Sequence, residues 1–418
     1  MPHFAKRSVI RIAVLSGIIL STSKAVAEDS SVLLNALIRK GVLSLEDVAD
    51  ARTEVKQAED RALTQVLAGG KATRQLSIGA LIGTQFVGLN TNVDGGDDPA
   101  ATNRFLLRRV MVSFRGSLGP EWNVMFNYNF AGPNFAAALV EWKPTLNLVF
   151  NVGLRKVNLG YEERMFSGLH RSIEVSPVTR YFAESNNGRR LGAASYRMGV
   201  FLDGKHEGFI YGAAITNPER IGDLTVSSPG KGSNNQPAVW ANVGITGKRA
   251  QAKYIVGIGA GFLPDQGGPG SIGLGMGDDL WVHTIYTDFT AGKFRLMAEY
   301  LSAQVERGGA ETQRASPWGF YIQPGVFLTD FLEAVVRYSS LDTDRRGVDL
   351  SDAIRSAPSG GTRDLLDELY LGGNWYIKGN DLKLSLGGIY ATSEVALGSG
   401  VPAHARTFGV RSQMQVQF

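Results

Sequence analysis

The stretch RTFGVRSQMQVQF (Arg406–Phe418) has two different faces when every second residue is taken. One parity is mostly apolar and comprises Phe408, Val410, Ser412, Met414, Val416 and Phe418. The residues between them are almost all polar. Because successive side chains of a β-strand point to opposite sides, this alternation predicts a strand with one apolar face and one polar face.

The same alternation recurs along the chain from about residue 75. The clearest runs lie near 105–116, 122–130, 148–154, 252–262, 293–303, 331–341, 369–378 and 382–391. Each run has about ten residues, which is the length of a tilted strand that crosses a bilayer. Loops rich in Gly, Asn, Asp and Pro separate the runs, and long loops alternate with short turns. This organisation favours an outer-membrane β-barrel over residues 75–418.

Aromatic residues near the ends of the runs support the same interpretation. Trp122, Trp142, Trp281 and Trp375 occupy such positions, as in the aromatic girdles of membrane barrels. A secreted soluble β-sandwich would also contain alternating strands, and period two alone does not say which face is outside. The strand length, the terminal Phe418 and the signal-peptide pattern of the N-terminus together favour a membrane barrel over a soluble sandwich.

The N-terminus has the three parts of a secretory signal peptide. Lys6, Arg7 and Arg11 form a basic start, an apolar run covers Ile12–Leu20, and Ala25-Val26-Ala27 is a small-residue cleavage site. The apolar run is shorter than the ~20 residues that a membrane-spanning helix needs. We therefore predict that residues 1–27 are removed on export to the outer membrane of a Gram-negative-type cell. The chain has 0 Cys, which excludes a lipoprotein anchor.

The charge balance argues against a nucleic-acid partner. The whole chain carries a formal charge of +4, and all of it comes from Lys6, Arg7, Arg11 and Lys24 in the predicted signal peptide. The remaining chain has 39 basic and 39 acidic residues (43 − 4 against 39), so its basic isoelectric point belongs to the segment that is removed. The lack of Cys excludes thiolate metal sites, and the 5 His show no metal-ligand spacing. No cofactor and no metal are predicted.

Residues 28–74 differ from the rest of the chain and read as a periplasmic helical segment. One predicted helix ends at Gly41 and a second begins at Ser44. In the second helix, five small apolar residues and one Gln follow the a/d spacing of a short coiled coil: Val48, Ala51, Val55, Ala58, Ala62 and Gln65. This segment is either an oligomerising coiled coil or a solitary amphipathic helix that packs on another surface.

The alternation also assigns charged residues to the inside of the predicted barrel. If aliphatic and aromatic residues face lipid, the opposite parity faces water. The inward basic residues are then Arg109, Arg115, Arg155, Lys253, Arg295, Arg337, Lys378, Lys383 and Arg411. The inward acids are Glu141, Glu299 and Glu333. A protein of near-neutral charge is thus predicted to have a basic lumen, and pore selectivity depends on such local rings of charge.

Seven stretches follow one another in a recognisable order: LLNALIRKGVLSLEDVADA, FLLRRVMVSFRGSLGPEWNVMFNYNF, NVGLRKVNLGYEE, NNGRRLGA, AVVRYSSLD, LGGNWYIKGNDLKLSLGGIYAT and RSQMQVQF. Together they resemble the phosphate-selective porin O and P family. The resemblance covers nearly the whole chain after the signal peptide and implies a 16-stranded antiparallel transmembrane β-barrel, a homotrimer and water-filled pores. It also implies that Phe418, with Val416 and Met414, forms the signal that the barrel-assembly machinery reads.

The resemblance also suggests a constriction loop at about residues 157–190. Lys156 stands at the family's Lys position, and the loop adds Arg164, His170, Arg171, Arg180, Arg189 and Arg190. Guanidinium groups suit carboxylate and phosphate oxygens, so these residues are candidates for attracting anions. Alternatively, they pair with Glu162, Glu163, Glu174 and Glu184 and only brace the loop. Two departures speak against phosphate preference: the family's Gln-Phe is Leu154-Arg155 here, and residues 165–192 contain no Lys.

The sequence therefore predicts an outer-membrane porin that passes small hydrophilic solutes by diffusion and prefers anions. One alternative is a non-selective general porin. Another is a structural protein whose helical arm contacts the cell wall while the barrel serves as an anchor in the outer-membrane lipid. Enzyme activity is not expected, because the nearness of His170 and Ser172 in sequence does not establish a catalytic triad.

Overall fold

The computed structural model describes residues 74–132, 134–184, 190–217, 236–264, 279–305, 314–349, 362–394 and 404–418. The predicted signal peptide, the predicted helical segment except its last residue, and Arg189 lie outside the described residues. Contacts divide the chain into Met1–Ser77 and Ile78–Phe418. Of the first unit, only residues 74–77 are among the described residues. The second unit contains the rest of the described residues.

The described residues form eighteen strands, most of them 8 to 20 residues long. They are β1 (Arg74–Val93), β2 (Thr102–Leu118), β3 (Trp122–Asn129), β4 (Asn134–Thr145), β5 (Leu148–Lys156), β6 (Tyr196–His206), β7 (Phe209–Thr216), β8 (Ala238–Arg249), β9 (Ala252–Leu263), β10 (Leu280–Ala291), β11 (Phe294–Val305), β12 (Trp318–Phe327), β13 (Leu332–Asp342), β14 (Val348–Asp349), β15 (Thr362–Arg363), β16 (Leu365–Asn380), β17 (Leu382–Glu394) and β18 (His404–Gln417).

Sixteen of these strands close into one antiparallel barrel, while β14 and β15 pair with each other outside it. Each barrel strand lies beside its neighbour in the chain. The first and last strands close the ring, with Leu81 opposite Gln417 and Val93 opposite Ala405. Closure leaves no unpaired edge, which a strand that faces lipid could not tolerate. The predicted 16-stranded antiparallel barrel is confirmed.

The two faces of β18 lie as the alternation predicts. Val410, Met414 and Val416 are exposed on the outside of the barrel, whereas Arg411 and Gln415 are buried inside. The exterior is apolar on the other strands as well, and aromatic rings cluster on it. Trp122, Trp142 and Phe150 stack in a row with ring centroids 5.7 and 5.3 Å apart. The barrel thus has an apolar surface towards lipid and polar side chains in its lumen.

The connections differ in length between the two ends of the barrel. One end carries short turns at 119–121, 146–147, 207–208, 250–251, 292–293, 328–331 and 381. The other end carries the long connections 157–195, 217–237, 264–279 and 343–364. In barrels of this kind the short turns are periplasmic and the long loops are extracellular.

The connection between β5 and β6 folds into the lumen, and we call its described part, 157–184 and 190–195, the inserted segment. It contains helix α1 (Tyr161–Arg164), a 3₁₀ turn (Ser167–Leu169) and helix α2 (Pro177–Ala183). The side chain of Ser176 caps α2 by accepting a hydrogen bond from the Thr179 amide. None of the described helices is long and apolar enough to cross a bilayer.

Apolar packing holds the helix α2 end of the inserted segment. Val178, Tyr181 and Phe182 are fully buried and belong to one apolar cluster with Leu280 and Leu301 on the barrel wall. The segment therefore has a small hydrophobic core of its own inside an otherwise polar lumen. Burial of such side chains contributes roughly 1.5–3 kcal/mol each, which favours one fixed position of α2.

Candidate functional site

A buried carboxylate on β11 anchors helix α1. Glu299 accepts hydrogen bonds from the backbone amides of Tyr161 (2.7 Å) and Glu162 (3.2 Å). It also accepts from the hydroxyls of Thr284 (2.7 Å) and Tyr321 (3.0 Å). Four donors satisfy the carboxylate, and the two amides are otherwise unpaired because they begin a helix. Glu299, predicted to face inward, thus caps α1 from across the lumen.

A single buried arginine on β13 fastens the middle of the inserted segment. Arg337 donates to the Ser172 hydroxyl and to the Glu174 carbonyl, both at 2.8 Å. The same nitrogen, Nη1, lies 3.6 Å from the Glu162 carboxylate, and Nη2 meets Glu368 at 2.9 Å. Arg337 is 1% exposed. It therefore braces the segment and is withdrawn from water.

Backbone carbonyls of the inserted segment accept hydrogen bonds from the opposite wall. Lys383 on β17 donates to the carbonyls of Gly168 (3.2 Å) and His170 (2.7 Å). Asn374 on β16 donates to the carbonyl of Arg171 at 2.8 Å. Because these acceptors are main-chain groups, these three contacts do not depend on the side chains of Gly168, His170 and Arg171.

Strand β2 places two adjacent arginines in the lumen. Arg108 meets Glu174 of the inserted segment at 2.6 and 3.0 Å, and Arg109 lies near the same carboxylate. A regular strand would send neighbours to opposite faces. The exposed apolar residues of β2 have odd numbers at its start, Phe105 and Leu107, and even numbers at its end, Phe114 and Leu118. The outward face therefore switches from odd to even positions between Leu107 and Phe114, which indicates a local irregularity in the strand.

Most of the predicted pore-lining cations have a carboxylate close by. The pairs are Lys156–Glu163 (3.4 Å), Arg171–Glu333 (3.8 Å), Arg180–Glu184 (3.7 Å), Arg190–Glu184 (2.9 Å) and Arg295–Glu333 (3.9 Å), together with Arg155–Asp203. Asp203 and Glu368 are lumen acids in addition to the three predicted from the alternation. Within the described inserted segment, the arrangement therefore corresponds to the bracing alternative, and an anion-attracting role for these residues stays a prediction.

The other predicted residues have different surroundings. Arg164 donates to the Gly160 carbonyl (3.2 Å) and lies over the Tyr286 ring (5.4 Å). Arg115 is exposed in the lumen, with Nη2 3.6 Å from the sulfur of Met125. These two residues lie along the walls of the lumen and make no contact with each other in the described structure.

Arg109, Lys383 and Arg411 are inward cations that have no ion pair with a described residue. Two of them act on His170. Burial, followed by the charges of Arg109, Lys156 and Lys383, holds the pKa of His170 well below its usual value. Residues 168–170, which we call the tip of the inserted segment, therefore lie close to several wall cations.

A larger cavity lies on the side of the lumen that the inserted segment leaves open. Its volume is about 300 Å³, and β2 to β6 line it. Its polar lining residues are Arg115, Asn123, Glu141, Lys143, Asn151, Arg155 and Asp203. The anchors described above fix the segment mainly to β10–β13 and β16–β18, so open space remains beside β2–β6.

A closed barrel with an apolar exterior, a polar lumen and a segment folded into that lumen defines an outer-membrane porin. The family model of phosphate-selective porin O and P matches residues 85–418. The chain belongs to this family, whose members are channels and not enzymes. A search of the curated proteins gave no match.

Solved porin structures share the fold. The anion-selective porin from Comamonas acidovorans aligns with a TM-score of 0.56 and 11% identity, over 82% of this chain and 100% of that one. The outer-membrane channel DcaP of Acinetobacter baumannii gives 0.54 and 10%, over 84% and 99%. The trimer form of OmpT of Vibrio cholerae gives 0.50 and 10%, over 82% and 99%. At these identities the likeness concerns the fold alone.

Proposed function

We propose that this porin passes small hydrophilic solutes by passive diffusion and prefers anions. The observation that carries this preference is the set of inward cations without a carboxylate partner, Arg109 and Lys383 above all. They lie on the barrel wall beside the inserted segment, where Lys383 donates to the carbonyls of Gly168 and His170 and the charge of Arg109 acts on His170. In a narrow, low-dielectric pore, such local charge decides which ions enter, whatever the net charge of the protein.

The open side of the lumen is the proposed route. The cavity beside β2–β6 carries Arg115, Lys143 and Arg155 against Glu141 and Asp203. Three basic groups against two acids give a weakly positive lining. A moderately attractive lining lets anions enter and leave, as conduction requires. The fold that this chain shares with the Comamonas acidovorans porin, named as anion-selective, is compatible with the proposal.

The proposal favours small anions in general over a dedicated phosphate site. No Lys occurs in residues 165–192, and Arg171, Arg180 and Arg190 have carboxylate partners. A bidentate phosphate contact would need to displace these pairs. Phosphate should therefore inhibit chloride current only weakly, and strong inhibition at low phosphate concentration would indicate a specific site.

Neutralising a single lumen cation tests the preference. We expect Lys383→Met to reduce the chloride-to-potassium permeability ratio by about 2- to 5-fold, because one charge near a constriction changes ion energies by about 0.4–1 kcal/mol. Lys293→Met, in the exposed turn between β10 and β11, is the matched control. The readout is the reversal potential under a KCl gradient. Equal ratios in both variants and the wild type would contradict the role of Lys383.

We propose further that the protein works as a homotrimer. A porin of the same fold, OmpT of Vibrio cholerae, has a structure in a form named as trimeric. The apolar exterior supplies surface that can pack against another copy in the membrane. Chemical cross-linking in isolated outer membranes should give a trimer as the largest abundant species. A monomer as the only species would exclude the trimer.

A further inference from the structure

A small cavity separates helix α2 from the wall that β1 and β16–β18 form. Its volume is about 30 Å³. Arg180 of α2, together with Glu368, Thr407 and Arg411 of the wall, supplies its polar lining. The rest of the lining is largely apolar, from residues such as Leu89 and Ile389. The cavity is distinct from the larger space beside β2–β6 that we propose as the solute route.

The guanidinium of Arg411 is not satisfied by the protein around it. Arg411 is 2% exposed. Its Nε and Nη2 have no hydrogen-bond partner among the described residues. A buried guanidinium without a partner carries a large free-energy cost, so a group of opposite charge or a strong acceptor is favoured beside it.

The carboxylate in the same lining does not fill this role. Glu368 is held by Arg337 at 2.9 Å. Arg180 is likewise engaged, since it pairs with Glu184 at 3.7 Å. The lining contains two cations, Arg180 and Arg411, and one carboxylate, Glu368, so it has an excess of one positive charge. The charge of Arg411 is the one that remains to be balanced.

A hydroxyl donor is also available at the cavity. Thr407 and Thr91 share one hydrogen bond of 2.9 Å, in which either oxygen can donate. Two hydroxyls in one shared bond leave one hydroxyl hydrogen free for another acceptor. When Thr91 donates, Thr407 can turn its own hydrogen towards the cavity. The site then offers a guanidinium and an O–H group to a single acceptor.

We propose that this cavity binds one halide-sized inorganic anion, chloride under physiological conditions, which links Arg411 of β18 to helix α2. The volume is sufficient for at least one ion of the size of a water molecule or a halide. The bound anion is structural: it fastens the inserted segment to the wall and is separate from the diffusing anions of the proposed function.

Bromide provides a direct test, because it replaces chloride and scatters anomalously. Crystals of the full-length protein are grown with bromide as the only halide, and the anomalous map is inspected at Arg411. We expect a peak beside the guanidinium in the wild type and in Arg406→Met. The second protein is the matched control, since Arg406 lies on the same strand and is exposed. Arg411→Met should lose the peak.

A solution measurement shows whether the anion is bound outside the crystal. The thermal unfolding midpoint of the purified protein is compared in chloride and in gluconate at equal ionic strength. We expect chloride to raise the midpoint of the wild type by roughly 2–4 °C, and to have no such effect on Arg411→Met. If Arg411→Met does not assemble, Thr407→Val removes only the hydroxyl donor and should reduce both the peak and the chloride effect.

The outcomes separate the competing explanations. A bromide peak with chloride-dependent stability supports the proposal. No peak and no chloride dependence overturns it and identifies the occupant as water. A peak without chloride dependence also overturns it, since the site would then fill at crystal concentration only. None of these measurements depends on ion selectivity, so their outcome tests the bound anion independently of the proposed function.

Discussion

At the scale of single residues, Gly153 illustrates how closely neighbouring strands approach at the inserted segment. Its φ of +133° lies in a region that other residues avoid. A Cβ atom there would lie 2.3 Å from the Ala138 carbonyl oxygen on β4. The absence of a side chain lets β5 pass β4 just before the chain turns into the lumen.

Replacing this glycine should destabilise the barrel. We expect Gly153→Ala to lower the free energy of unfolding by about 1–3 kcal/mol, through backbone strain and the contact with Ala138. Gly116→Ala is the control, because its Cβ would meet only Val124 at an ordinary 3.6 Å. Urea unfolding in a defined lipid or detergent measures both. Equal stability of the two variants would show that the strain is relieved elsewhere.

Which inward residues the sequence could predict depends on local parity. Arg411 and Glu299 were assigned to the lumen correctly, because regular strands with apolar partners surround them. Arg108 was missed, although the apolar residues change parity within β2 and so signal the irregularity. The partner of each arginine was beyond prediction. Arg337 and Glu162, for example, lie far apart in sequence and meet only because the segment folds back.

At the scale of elements, the inserted segment depends on a few anchors supplied by the wall. Glu299 and Arg337 hold its first half, and apolar packing of α2 holds its second half. The sequence located this element by resemblance, but the wall residues that hold it come from strands distant in the chain. Most of those anchors are carboxylate or guanidinium groups whose contacts require the closed barrel.

Weakening the Glu299 anchor should widen the pore. In Glu299→Gln, an amide nitrogen replaces one carboxylate oxygen and faces one of two donor pairs, the Tyr161 amide with the Thr284 hydroxyl or the Glu162 amide with the Tyr321 hydroxyl. A charge-assisted hydrogen bond of about 1.5–3 kcal/mol is then lost. We expect larger and noisier single-channel conductance in planar bilayers. Glu394→Gln is the control, since Glu394 is exposed and pairs only with His404 at 3.4 Å. Unchanged conductance would mean that α1 does not narrow the pore.

The inserted segment should also confer acid sensitivity through His170. Burial and the charges of Arg109, Lys156 and Lys383 keep its folded-state pKa well below 6.5. Below pH 6.5 the unfolded chain therefore binds a proton that the folded protein does not, and stability falls as pH falls towards the folded pKa. The loss is about 1.4 kcal/mol for each pH unit in that window.

Unfolding midpoints measured at pH 7.5 and at lower pH values test this dependence. His170→Gln should lose part of the decrease, whereas His206→Gln, at an exposed position, should keep it. An acid response that is identical in all three proteins would assign the sensitivity to carboxylates instead.

At the scale of the whole molecule, the barrel carries the transport function and the N-terminal segment is a separate question. Among the described residues, the barrel closes through the pairing of β1 with β18, which begins at Leu81. The predicted coiled coil at 28–74 lies outside the described residues. Its role therefore rests on its sequence pattern alone.

Deleting residues 29–68 separates the interpretations of that segment. We expect a mature chain without them to conduct with unchanged selectivity, because the barrel strands are intact. Loss of trimers in cross-linking would support an oligomerising coiled coil. Intact trimers with loss of envelope attachment would support a tether to the cell wall. Loss of all conductance would contradict the independence of the barrel.

We propose that this near-neutral porin prefers anions because cations without an ion pair lie beside the tip of its inserted segment. The most direct measurement is the reversal potential of the purified wild-type protein in a planar bilayer under a KCl gradient. The account predicts a shift towards the chloride equilibrium potential that shrinks in Lys383→Met. A zero shift, or a shift towards the potassium equilibrium potential, would contradict it and leave a general porin.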